Sequence, residues 1–158
     1  MTDMPTQGSA TVEIDAPPQR VWALLTDLDV LPTFSPENER CELLGAATEL
    51  AAGVRFRGHN RAGDYEWHAD CEVTVFEPLR EFTYVVPPEF EHATTWRYTI
   101  EVVPGEDGPH SRVTESFDAP LLALPDVYPG RIEGRCENLR RACETTLANL
   151  KLAAESAG

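Results

Sequence analysis

Apolar and polar side chains alternate through five consecutive segments, Val54 to Arg61, Tyr65 to Phe76, Glu81 to Val86, Thr94 to Val103 and Arg112 to Asp118. Such alternation marks strands that bury one face. In the longest segment Tyr65, Trp67, Ala69, Cys71, Val73 and Val75 share one side, while Glu66, His68, Asp70, Glu72 and Thr74 share the other. Hairpin pairing tests the pattern, because a slip of one residue would turn the apolar set outward. A turn at Gly63-Asp64 sets Trp67 opposite Asn60, Cys71 opposite Phe56 and Val73 opposite Val54. A turn at Pro78-Leu79 sets Val75 opposite Phe82 and Val73 opposite Tyr84; Tyr84 then meets Trp96 and Phe82 meets Tyr98. Ile100 opposite Glu115 and Tyr98 opposite Phe117 complete the meander. Hairpins agreeing in parity predict one curved antiparallel sheet, dry on its concave face and wet on its convex face.

The cover for the dry face lies at the C-terminus. From Arg131 to Glu155, Ile132, Cys136, Leu139, Cys143, Leu147, Leu150 and Ala154 recur at helical spacing. A helix of that length reaches roughly 38 Å, enough to lie along the whole sheet. At the other end, Val12 and Ile14 alternate within Ala10 to Asp15, Pro17-Pro18 opens a helix, and Val21, Trp22, Leu24, Leu25 and Leu28 form its inner side. Pro32 and Pro36 interrupt the next stretch, and Arg40 to Gly45 reads as a further strand. The expected order is strand, one or two short helices, six strands, long helix: an α+β fold with about seven strands.

The run Val12-Glu-Ile-Asp-Ala-Pro-Pro-Gln-Arg-Val-Trp22, followed by Leu25-Thr-Asp27, closely resembles the start of the SRPBCC superfamily, in its polyketide cyclase/dehydrase-like branch. That branch is related to START domains and the birch-pollen allergen family. Val75-Phe-Glu-Pro78, Thr95-Trp-Arg-Tyr98, Arg112-Val-Thr-Glu115 and Thr146-Leu-Ala-Asn-Leu-Lys151 are similar to its later landmarks. The resemblance spans nearly the whole chain and implies a helix-grip fold, a curved sheet wrapped around the terminal helix. It implies diverse hydrophobic ligands and few shared catalytic residues, so it names no substrate.

Length agrees with one domain, expected over residues 8–155 with 1–7 and 156–158 as loose termini: 158 residues at 42% apolar can bury a core, and no linker or repeat divides them. No apolar run approaches the roughly 20 residues of a membrane helix. Met1 to Gly8 lacks the regions of a signal peptide, so a cytoplasmic protein is expected. The net charge of −14 argues against nucleic acid or an anionic membrane as partner. Arg131, Arg135, Arg140 and Arg141 interleave with Glu133, Glu137 and Glu144, the pattern of a solvated helix face. A monomer or a homodimer fits equally well. Twelve of the thirteen basic residues are arginine, and Lys151 near the chain end leaves no lysine for a buried Schiff base.

Cys41, Cys71, Cys136 and Cys143 show no CxxC pair and no metal-ligand spacing, and read as reduced thiols acting as small apolar residues. His59 and His68 face one another across the first long hairpin, but on the wet parity of Arg57, Glu66 and Asp70; they read as surface histidines. No nucleophile elbow or glycine-rich phosphate loop is present. Neither a metal nor a cofactor is expected.

One carboxylate breaks the dry face. Glu115 shares parity with Val113 and Phe117, where burial would raise its pKa and fit it to act as a general acid or base or as an anchor for a ligand hydroxyl. The alternative is a structural group near the sheet's open edge or paired with an arginine. Around it Trp67, Tyr84, Trp96 and Tyr98 carry polar tips that an ordinary core seldom gathers. With Phe56, Asn60, Tyr65, Cys71 and Leu139 they form the candidate ligand-binding set. Leu122 and Tyr128 join it from Ala119 to Gly130, a proline-rich stretch read as a greasy lid.

Three functions fit these residues. The first is binding of a hydrophobic small molecule, a lipid, polyketide or aromatic metabolite, between the sheet and the last helix. The second, drawn from the resemblance, is a polyketide cyclase, aromatase or dehydratase with Glu115 or a pocket tyrosine moving protons. The third is a protein-interaction or regulatory-pair member docking through the lid.

Overall fold

The computed structural model describes residues 6–89, 93–120 and 135–156. Seven strands, β1 (Gln7–Ile14), β2 (Asn38–Leu43), β3 (Arg55–Ala62), β4 (Tyr65–Glu77), β5 (Glu81–Val86), β6 (Thr94–Val103) and β7 (His110–Asp118), form one antiparallel sheet in the order β1-β7-β6-β5-β4-β3-β2. Helix α1 (Pro18–Leu25) and a 3-10 helix (Leu31–Phe34) bridge β1 and β2, and α2 (Arg135–Ser156) closes the chain. This is the helix-grip α+β architecture that the pattern and the resemblance imply.

Alternation becomes burial. Along β7 the buried residues are Ser111, Val113, Glu115 and Phe117, each separated by a more exposed neighbour. The convex face carries paired charges: Arg57 holds Asp70 at 2.6 and 3.1 Å, Arg55 holds Glu72 at 3.0 Å, and Arg112 reaches Glu13 at 2.8 Å. Opposite charges on neighbouring strands keep that face wet and fix its register.

Two of the expected registers need correction. Between Val73 and Val75 the β4–β5 ladder shifts by one residue, so Val75 pairs with Thr83 and Phe76 with Phe82. A bulge inserts an unpaired residue and reverses parity beyond it. Phe76, not Val75, therefore turns inward, where its ring meets Trp22 at 5.2 Å and Phe82 at 6.1 Å. In the β6–β7 pair the expected register is two residues off: Tyr98 faces Glu115, Trp96 faces Phe117 and Ile100 faces Val113. The faces survive, since a two-residue slip preserves parity.

Helix α2 presents Cys143, Thr146, Leu147, Leu150 and Ala154 to the interior. Polar ties set its position. Arg135 makes two bonds to Glu37, at 2.9 and 3.0 Å; Asn149 Nδ2 donates to the Phe34 carbonyl at 2.9 Å; and Arg20 of α1 donates to the carbonyls of Ala153 and Ala154. The main core gathers Ile14, Val21, Leu25, Phe34, Phe56, Val73, Phe82, Val113, Leu147 and Leu150. A separate cluster of Phe117, Ala119 and Cys143, flanked by Trp96, Cys136 and Leu139, sits under the first half of α2. No described helix is long and apolar enough to cross a membrane.

Candidate functional site

Between these two clusters lies Glu115. Strand β7 runs between β1 and β6, so the carboxyl is in the body of the sheet and not at its open edge. It is 4% exposed, and its Oε1 has no hydrogen-bond partner among the described residues. The Tyr98 phenol and the Cys143 thiol are the described groups close enough to hold the carboxyl's pKa down, and no described arginine does so. Desolvation dominates, outweighing the opposing pull of those two groups, and pushes the Glu115 pKa up to about 8. At neutral pH the group is a carboxylic acid, with a proton to give.

Its neighbours are neutral as well. Burial raises the Tyr98 and Tyr84 phenols well above their ordinary range, and it raises the Cys71 and Cys143 thiols too. A thiol held in its protonated form is a poor nucleophile, so these groups are suited to donating hydrogen bonds or moving a proton at Glu115 and poorly suited to attack through sulfur.

Two cross-strand rows make up the concave face here. Glu115, Tyr98, Phe82 and Phe76 stand side by side on β7, β6, β5 and β4, and Phe117, Trp96, Tyr84 and Val73 form the next row. The Phe82 and Tyr98 rings stack at 6.2 Å with planes 14° apart, and Trp96 lies 5.4 Å from Phe117. Phe56 and Cys71 are buried opposite one another across β3 and β4, with the Tyr84 ring edge-on to Phe56 at 5.1 Å. Tyr84 and Trp96, though on the concave side, are half-buried, as is Leu139 on α2.

Asn60 and Trp67 pair as expected, but far along the β3–β4 hairpin. Both line a shallow cleft of about 400 Å³ with Glu39, Arg40, His59, Glu66 and His68. Tyr65 stacks on Trp67 at 5.4 Å and is 50% exposed. These three stand apart from the Glu115 cluster. A larger groove of about 730 Å³ opens at the other end of β6, beside Pro18, Leu79, Ile100 and Val102. Leu122 and Tyr128, with the rest of the expected lid from Leu121 onward, lie outside the described residues.

His59 and His68 do face one another, ring centres 6.4 Å apart, and His59 Nε2 bonds Glu42 at 2.9 Å. Among the described residues no three His, Cys, Asp or Glu groups are placed to hold a metal ion. All four cysteines are free, Cys71 and Cys143 buried and Cys41 and Cys136 half-buried. Nothing in the amino-acid pattern pairs Cys143 with Glu115. The helical stripe shows that Cys143 points inward; which strand residue it meets depends on the placement of α2.

The architecture recurs among solved structures. DR_A0006 of Deinococcus radiodurans aligns with a TM-score of 0.68 at 16% identity, over 97% of this chain and all of that one. The polyketide-cyclase-like protein Cgl2372 of Corynebacterium glutamicum aligns at 0.59 with 25% identity, over 95% and 89% of the two chains. The di-domain ARO/CYC StfQ from the steffimycin biosynthetic pathway aligns at 0.67 with 15% identity, over 98% of this chain and 52% of that one. No curated protein matches the sequence significantly. The profile of one family, described as polyketide cyclase/dehydrase and lipid transport, matches residues 5–155, from just before β1 to within one residue of the end of α2, and the chain belongs to that family.

Proposed function

We propose that the protein binds a hydrophobic small molecule, a lipid, polyketide or aromatic metabolite, between the concave face and α2. The observation that carries this reading is the orphaned Oε1 of Glu115, buried beside Tyr98 and near the half-buried Tyr84 and Trp96. A buried polar atom without a partner costs about 1–3 kcal/mol. A ligand oxygen would recover that loss, while apolar area supplies affinity: burying roughly 300 Å² of ligand contributes about 7 kcal/mol before the entropy of association is subtracted. The family description supports a ligand of this class, as does the likeness in fold to StfQ, an ARO/CYC protein of a biosynthetic pathway.

Native mass spectrometry of the purified protein tests the reading. A discrete mass increment that disappears on denaturation, and is identified after extraction as a lipophilic compound, is the expected result. Protein that carries no such increment and binds no lipophilic probe would refute it.

A cyclase or dehydratase function is the second reading, favoured by the same carboxyl. An acid that titrates near neutral pH is matched to general acid–base work, and here it would protonate a ketone oxygen as a chain folds and closes. Glu115→Gln would then abolish turnover of a poly-β-ketone chain while leaving its binding intact. Turnover that persisted in this variant would exclude Glu115 as the proton carrier.

A further inference from the structure

The concave positions of all seven strands contain no lysine, arginine or histidine. The basic residues of the sheet stand on the convex parity, paired with carboxylates, as Arg55, Arg57, Arg61 and Arg112 are. On α2 the buried positions are Cys143, Thr146, Leu147, Leu150 and Ala154; Arg135 engages Glu37, and Arg140, whose charge reaches Cys143, is held by Glu137 and Glu144. A hydrophobic anion entering this space would leave its charge in an apolar surround where no described residue supplies a free counter-ion, which is strongly unfavourable. Its carboxylate would also meet the carboxyl of Glu115.

What the face does offer is a pair of neutral donors on adjacent strands. Tyr98 and Glu115 are directly opposed, and the carboxyl has one oxygen left without a partner. Resting on the ligand-binding reading above, we propose that Glu115, as a carboxylic acid beside Tyr98, is the hydrogen-bond donor that selects neutral hydrophobic ligands carrying a carbonyl oxygen, and that the site rejects hydrophobic carboxylates. Selection works as a difference of affinities: the ketone gains a hydrogen bond that a hydrocarbon cannot make, and the carboxylate suffers a desolvation that no described cation offsets.

Among the described residues the titratable groups facing Glu115 are Tyr98 on β6, Tyr84 on β5 and Cys143 on α2, with the charge of Arg140 reaching Cys143, while β1 presents Ala10. Burial holds all three of those side chains in their neutral forms. The donor is therefore lost when Glu115 itself ionises, and carbonyl affinity falls as the pH rises through about 8.

Three fluorescent naphthalenes test the proposal. They share a dimethylamino group, and carry at the same ring position a propanoyl ketone, a carboxylate or hydrogen. At pH 7 the ketone is expected to bind at least about tenfold more tightly than the carboxylate, the worth of roughly one hydrogen bond. Its emission should be red-shifted by hydrogen bonding to the carbonyl. Glu115→Leu should weaken the ketone about tenfold, shift its emission to the blue and spare the hydrogen-substituted probe. Glu115→Gln, which still has an N–H to donate, should bind the ketone with no decline above pH 8. Carboxylate binding as strong as the ketone's, or Glu115→Leu leaving ketone affinity and emission unchanged, overturns the proposal while the ligand-binding reading stands. If none of the three probes binds, the ligand-binding reading falls and the selectivity falls with it.

Discussion

Tyr98 stands directly across the β6–β7 ladder from Glu115, phenol beside carboxyl, and Cys143 of α2 meets the same carboxyl from the helix side. Three polar groups thus share a volume that is otherwise aromatic and aliphatic. The sheet places two of them by register, and the helix brings the third. A site assembled this way depends on the docking of α2 as much as on the strands.

Burial of Glu115 links stability to pH. Its pKa of about 8 in the folded state exceeds the ordinary 4.5, so the native protein binds a proton that the unfolded chain releases between those values. The stabilisation is complete below 4.5 and is lost as pH rises to about 8, at up to about 1.4 kcal/mol per unit. Urea unfolding at pH 5.5 and pH 8 should therefore show the wild type losing up to about 3 kcal/mol relative to Glu115→Gln, which has no proton to release. Parallel pH profiles for the two proteins would mean that the carboxyl is solvated or paired.

Gly8 faces Phe117 across the β1–β7 ladder, and a Cβ there would stand 2.7 Å from Phe117 Cζ and 2.8 Å from Cε1. Phe117 is 3% exposed and rests against Trp96, so the ring can yield only by pressing into the aromatic row. Gly8→Ala is expected to cost about 1–3 kcal/mol, the usual penalty of overpacking. Phe117→Leu in the same chain should recover part of the loss, a coupling that a double-mutant cycle reads directly. Strict additivity would show that the ring does not occupy this contact.

Strand positions and their faces were legible because alternation follows from backbone geometry, and the β5 and β6 bounds coincide with the sequence segments. Register was less so. The bulge that turns Phe76 inward leaves no mark in a run of valines, threonine and phenylalanine, any of which suits either face. The two-residue offset of β6 on β7 is equally silent, since the loop from Pro104 to Pro109 admits more than one closure. Glu115 was visible as a charge on the wrong parity, but its partners were not, because they come from the offset ladder and from a helix distant in sequence. The aromatics divided for a similar reason: Trp67 and Tyr65 have the correct parity but occupy the far reach of a hairpin longer than the core beneath it.

Arg20 closes the C-terminal turn of α2 from α1, with Nε 2.5 Å from the Ala154 carbonyl and a terminal nitrogen 3.0 Å from that of Ala153. These are carbonyls of the last turn, where the backbone ladder runs out and only the Ser156 hydroxyl, at 3.2 Å from the Ala153 oxygen, donates from within the described part of the helix; a cation there also favours the helix dipole. Arg20→Ala should cost about 1–2 kcal/mol and speed amide exchange in the last turn of α2. Arg20→Lys should restore part of the stability, since a point charge keeps the dipole interaction but not both bonds. Identical exchange in all three proteins would show that the last turn is held by its packing alone.

Trp96 and Trp67 separate the inner site from the outer cleft. Trp96 packs against Phe117 in the row next to Glu115, whereas Trp67 pairs with Asn60 at the far reach of the hairpin among His59, His68 and Glu66. A ligand held beside Glu115 loses contact area when Trp96 is cut back and little when Trp67 is. Trp96→Ala should therefore weaken a neutral lipophilic probe by about tenfold or more, equivalent to losing roughly 60 Å² of apolar contact. Trp67→Ala should change it less than about threefold. Both substitutions are at half-buried positions, and circular dichroism should confirm that each variant keeps its sheet. The reverse ranking would move the binding surface out to the 400 Å³ cleft and leave Glu115 with no ligand to explain its unpaired oxygen.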